Sequence, residues 1–229
     1  MLSRVAGILF VGLLVAGVPV LSYLTARELR SLKLPRLSLY LSAVLSQWLL
    51  AILGVLVVLA SRRSFAAVGF RAVPPPALLA WALGLTAAAL AAMGLSLLLE
   101  RWRWWPRESD LVALLLPETR EEKVWAAFVL APTAALCEEF LYRGYLLAQL
   151  AQGLDSLSWA WVASSLAFGL AHLYQGWNGA ARAALLGALL AYPVVQLGSL
   201  YPSMLAHGLI DAVALVWLGP RFVPLHPES

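Results

Sequence analysis

The sequence predicts an all-α fold: a polytopic transmembrane helical bundle of about seven spans, with a polar site formed by the last four. Three observations predict it. Of the 229 residues, 62% are hydrophobic and only 12% charged, against roughly half and a quarter in soluble domains. The mean hydropathy is +0.83. The apolar residues are gathered into runs of about the 20 residues that a bilayer core requires, with most Lys and Arg in the short loops between them. The formal net charge of +4 therefore reads as a topology signal set by loop cations. It is not the footprint of a nucleic-acid binder, and the bilayer itself is the expected partner.

The first span is expected from Val5 to Leu24. It lacks a small-residue cleavage site and is long enough to cross, so it reads as a helix rather than a cleaved leader. A basic loop with Arg27, Arg30, Lys33 and Arg36 follows, then a span from Leu37 to Ala60. Arg62, Arg63 and Arg71 precede Pro74-Pro75-Pro76, which cannot continue a helix. The third span, Ala77 to Leu99, is rich in Ala, Leu and Gly, small residues that suit close packing in lipid. Glu100 to Lys123 is the most polar stretch. Its Arg101-Trp102-Arg103-Trp104-Trp105-Pro106 run suits an interface, with rings at headgroup depth. Leu111 to Leu116 is too short to span and is expected at the surface. The fourth span begins near Lys123 and contains Pro132, a candidate kink. The fifth runs from Trp159 to Leu173, the sixth from Ala180 to Leu197 and the seventh from Met204 to Leu218, before a short Pro-rich tail.

The loops at 27–36 and 100–123, with Arg221, hold ten Lys and Arg; the N-terminus and the 61–76 loop hold four. The positive-inside rule then places the N-terminus outside and the C-terminus inside. The single cysteine, Cys137, excludes an intrachain disulfide. The Ala-, Leu- and Arg-rich composition suggests a multi-pass protein of a bacterial plasma membrane.

Ionisable side chains at membrane depth are costly unless paired or facing a wet cavity, so they mark function by default. Here they form three clusters. Glu138, Glu139 and Arg143 lie on the fourth span, His172 on the fifth, and His207 with Asp211 on the seventh. Glu139 and Arg143 are i,i+4 neighbours able to pair, while Glu138 lies about 100° further round. Taken alone, that stretch reads equally well as a structural pair at a helix end. His207 and Asp211 share one face, as do Phe168 and His172. Simple helix bookkeeping leaves Glu138 near mid-membrane and the two histidines toward opposite ends of their spans. A Glu beside a His can take a proton from water and direct it at a carbonyl. A second His can donate to the resulting oxyanion. Two His and a Glu, here Glu138, His172 and His207, are equally a zinc set with metal-bound water as nucleophile, although the H-E-x-x-H signature is absent. Cys137 as a nucleophile lacks an activator.

These residues resemble the three motifs of the CAAX-protease and bacteriocin-processing (CPBP, or Abi) family of intramembrane endopeptidases, which includes the type II CAAX prenyl endopeptidases. The motifs are E-E-x-x-x-R, F-x-x-x-H and H-x-x-x-N or D. They stand here as Glu138-Glu139-Phe140-Leu141-Tyr142-Arg143, Phe168-Gly169-Leu170-Ala171-His172 and His207-Gly208-Leu209-Ile210-Asp211. Each is weak alone; all three in order between residues 138 and 211 are strong. The resemblance covers residues 123–218, which it implies is the catalytic core, after N-terminal helices and an interfacial segment at 1–122 and before a tail at 219–229. It implies hydrolysis of a peptide bond in a membrane-associated peptide or protein. Glu138 and His172 would activate water, His207 and Asp211 would stabilise the oxyanion, and Glu139 and Arg143 would support the site. Asp211 stands where prenyl-processing members have Asn, and an ionised Asp donates no hydrogen bond, so orienting His207 is its expected part. The family is described both as metallo and as metal-free glutamate enzymes, so a zinc ion or none fits. The composition argues against a prenylated CAAX substrate. Two other classes compete: a non-proteolytic immunity or scaffold protein of the same fold, and a proton-relay transporter, whose inverted repeats are not found.

Overall fold

The computed structural model describes residues 2–29, 32, 34–104 and 110–219. Arg30, Lys33, Trp105, Pro106, Arg107 and Arg221, together with the rest of the tail, lie outside the described residues. Among the described residues the protein is all-helical, with no strand. Among the described residues six helices are long and apolar enough to cross a membrane: α1 Ser3–Glu28, α2 Arg36–Ala60, α3 Pro75–Glu100, α5 Arg120–Gly153, α7 Leu173–Leu197 and α8 Tyr201–Leu218. Between them lie the short α4, Asp110–Leu115, and α6, Leu157–Ala171. This is a multi-pass integral membrane bundle. Six long helices and one short one stand where seven spans were expected.

The helix ends follow local chemistry. Pro35 and Pro74 sit at the N-caps of α2 and α3, where a missing N–H costs nothing. Thr119 and Glu122 form a capping box at the start of α5, each satisfying a donor of the other. Ser156 caps α6 by accepting from the Trp159 amide at 3.4 Å. These polar and proline residues begin helices one to several residues before the apolar runs do, so α5 starts at Arg120 rather than Lys123. In α5, Pro132 lies two residues after a π-helical turn, Ala126–Leu130. A second π-helical turn, Glu139–Leu146, carries the polar motif.

Helix α5 is the hub. Its Cys137, Phe140, Leu141, Tyr142, Tyr145 and Leu146 pack with Phe10 and Leu14 of α1, Val57 and Val58 of α2, Phe168 of α6 and Met204 of α8. Gly169 lets α6 and α7 meet closely, since a Cβ there would lie 2.6 Å from the Ala180 carbonyl oxygen. Residues 115–118 of the polar stretch lie against α2. Tyr40 donates to the Leu115 carbonyl at 2.8 Å and Arg36 pairs with Glu118. Leu116 is buried, whereas Trp102 and Trp104 are exposed, as an interfacial run requires.

Candidate active site

The π-helical turn of α5 begins at Glu139, immediately after Glu138. Such turns widen a helix by one residue and recur at functional sites. The expected Glu139–Arg143 pair forms at 3.2 Å, with both side chains almost fully buried. The guanidinium makes no hydrogen bond. Its carbon instead sits 3.8 Å over the Phe168 ring, a cation–π contact that replaces part of the lost hydration. Gly187 of α7 makes room, since a Cβ there would come within 3.2 Å of the Phe168 ring and 3.4 Å of the guanidinium.

His207 of α8 enters this cluster from the other side. Its Nδ1 lies 2.8 Å from Glu139 Oε1. Its Nε2 faces Asp211 Oδ2 at 3.5 Å and Glu138 Oε2 at 3.9 Å. Adjacent carboxylates of α5 therefore approach opposite nitrogens of one imidazole. The contact that fixes the far nitrogen comes from Glu139. Asp211 shares the near side with Glu138.

His172 lies at the C-terminal end of α6. Its Nδ1 is 2.9 Å from the Phe168 carbonyl. A carbonyl only accepts, so Nδ1 carries a proton, and in the neutral ring Nε2 is the nitrogen with the lone pair. The Phe168 ring is 4.5 Å from the His172 ring and 6.4 Å from the His207 ring, between centroids. The two histidines, expected toward opposite ends of their spans, therefore flank one phenylalanine ring. Helix α6 spans 15 residues, about 22 Å at 1.5 Å per residue, short of a 30 Å hydrocarbon core. Its C-terminus thus stops at the level where α5 and α8 present their polar groups. Glu138 and Asp211 keep part of their side chains accessible, at 16% and 28%, while Glu139 is sealed.

Sequence reasoning missed two neighbours. Gln47 of α2 donates from Nε2 to Glu138 Oε1 at 2.9 Å. Tyr174 stacks on His172 at 5.9 Å and accepts from Gln175 at 3.0 Å. Gln47 gave one available signal, a lone amide in a span whose other polar residues are serines and Tyr40; Tyr174 fell between two expected spans. Cys137 is buried. Among the described residues no three His, Cys, Asp or Glu side chains are grouped as metal ligands as they stand.

Fold and polar centre together define a helical membrane protein with a buried Glu–His site. Residues 120–213 match the family model of the type II CAAX prenyl endopeptidase Rce1-like proteins, and all three polar motifs fall within that segment. This bears out the resemblance drawn from the sequence. No curated protein and no solved structure matches the chain.

Proposed function

We propose that the chain is an intramembrane endopeptidase, hydrolysing a peptide bond in a membrane-associated peptide or protein of a bacterial plasma membrane. The observation that supports this best is the meeting of Glu138 and His207 from separate helices, Oε2 to Nε2 at 3.9 Å, inside a segment that matches a protease family.

In this reading Glu138 Oε2 takes one proton of a water molecule while His172 Nε2 accepts a hydrogen bond from the other. The hydroxide adds to the carbonyl carbon and the carbonyl electron pair moves to oxygen. His207 donates from Nε2 to that oxyanion, its ring held by Glu139 on Nδ1, and the oxyanion takes the place of Asp211, which faces Nε2 at 3.5 Å. Arg143 offsets the Glu139 charge. The C–N bond then breaks and Glu138 returns its proton to the leaving amine.

The test is cleavage of a quenched-fluorescent peptide library by the purified, detergent-solubilised protein. Wild type is compared with Glu138→Ala and His172→Ala, with and without chelator. Cleavage lost in both variants and kept under chelator supports glutamate-activated water. Cleavage lost to chelator and restored by zinc points to a metallopeptidase. Equal residual cleavage in wild type and variants means a contaminant, and favours the immunity or scaffold reading.

A further inference from the structure

The general base needs one of its two oxygens free to receive a proton, and burial alone does not choose which. Gln47 does. It sits midway along α2, on a helix outside the segment that carries the three motifs. Its amide nitrogen is 2.9 Å from Glu138 Oε1. A carboxylate only accepts, so the amide must present N–H here. The other oxygen, Oε2, is the one turned to His207. The Gln47 carbonyl oxygen is buried and makes no hydrogen bond, so the amide is oriented by Glu138 alone. The next residue, Trp48, donates to Thr133 Oγ1 at 3.3 Å, which pins α2 to α5 five residues before the carboxylate. Two consecutive residues thus divide the work: Trp48 joins the helices and Gln47 reaches the carboxylate.

On the endopeptidase reading above, we infer that Gln47 is a positioning residue, which ties down Glu138 Oε1 so that Oε2 is the oxygen that receives the proton of the attacking water. It acts through Glu138 and touches no reacting atom.

The experiment compares Gln47→Leu, Gln47→Asn and Trp48→Phe with wild type by two readouts. The first is steady-state cleavage. Losing a hydrogen bond to a charged group costs about 10- to 100-fold, so Gln47→Leu should lower kcat by that factor with KM within about twofold. Gln47→Asn, which keeps the donor on a shorter stem, should recover part of the loss, and Trp48→Phe should leave kcat near wild type. The second readout needs no turnover. Hydrophobic carbodiimides modify protonated carboxyls in membranes, and an N–H donor favours the ionised form. Labelling of Glu138, mapped by mass spectrometry, should rise several-fold in Gln47→Leu and not in Trp48→Phe. Equal losses in Gln47→Leu and Trp48→Phe would reduce Gln47 to helix packing and overturn the inference. So would unchanged labelling, or raised labelling with unchanged kcat. Were wild type inactive on every substrate, the endopeptidase reading would fall, while the labelling arm would still decide whether Gln47 holds Glu138.

Discussion

Helices α1 to α3 and helix α5 obey opposite rules. The most apolar windows of α1, α2 and α3 have hydropathies of 2.4, 2.4 and 2.1, yet only 22%, 22% and 17% of their residues are buried. The corresponding window of α5 has a hydropathy of 1.5 and is 50% buried. In water the greasier segment goes inside. In a bilayer, lipid solvates Leu and Ile as well as a core does, so packing goes to small residues and to polar groups that need partners. Hydropathy here reports contact with lipid, and a drop in hydropathy marks the interior.

That contrast is broken or sharpened by substitution. The largest effect is expected at Glu138. Glu138→Gln keeps shape and removes the base, so cleavage should fall about 100- to 10,000-fold with an unchanged melting temperature; a fall in both would make the residue structural. Next comes the buried ion pair. Arg143→Met leaves Glu139 buried without its counter-charge and should cost roughly 3–5 kcal/mol, read by thermal unfolding in detergent. The double variant Glu139→Gln with Arg143→Met should regain most of it. Packing follows. Gly169→Ala drives a Cβ to within 2.6 Å of the Ala180 carbonyl oxygen and should cost about 1–3 kcal/mol. The same change at Gly84 of α3, where a Cβ meets nothing within 4 Å, should be neutral or stabilise by up to about 1 kcal/mol through helix propensity. The smallest effect belongs to the solvent-side pair Arg36–Glu118: Arg36→Ala should cost under about 1 kcal/mol and leave cleavage intact. A large loss there would mean that the 100–123 segment does more than close the surface.

The bundle was legible because lipid demands long apolar runs, and most expected spans begin within a few residues of a helix start; the sixth was expected from Ala180, whereas its helix begins at Leu173. The ends themselves were less so: Thr119, Ser156 and Pro74 start helices by capping, and a hydropathy reading cannot see caps. The three polar clusters were legible because charge in an apolar span is rare. Their meeting was expected from the three motifs taken together, but the geometry by which they meet was not legible, since a short α6 and a π-helical turn leave no trace in residue type. Gln47 was missed for a related reason. A single amide among serines has no spacing to another polar residue, and its partner lies on a helix reached only in three dimensions.

The π-helical turn of Glu139–Leu146 also bears on how this protein can change over time. An extra residue in a turn is a stored register. Deleting one residue between 140 and 146 would let the segment relax to ordinary α-helix. The turns on either side would keep their faces, because the widened turn is where the extra residue is taken up, while Arg143 inside it would shift relative to Glu138 and Glu139. A loss of one residue is therefore absorbed here more readily than in the α-helical turns of α5, where it would rotate everything beyond it by about 100°.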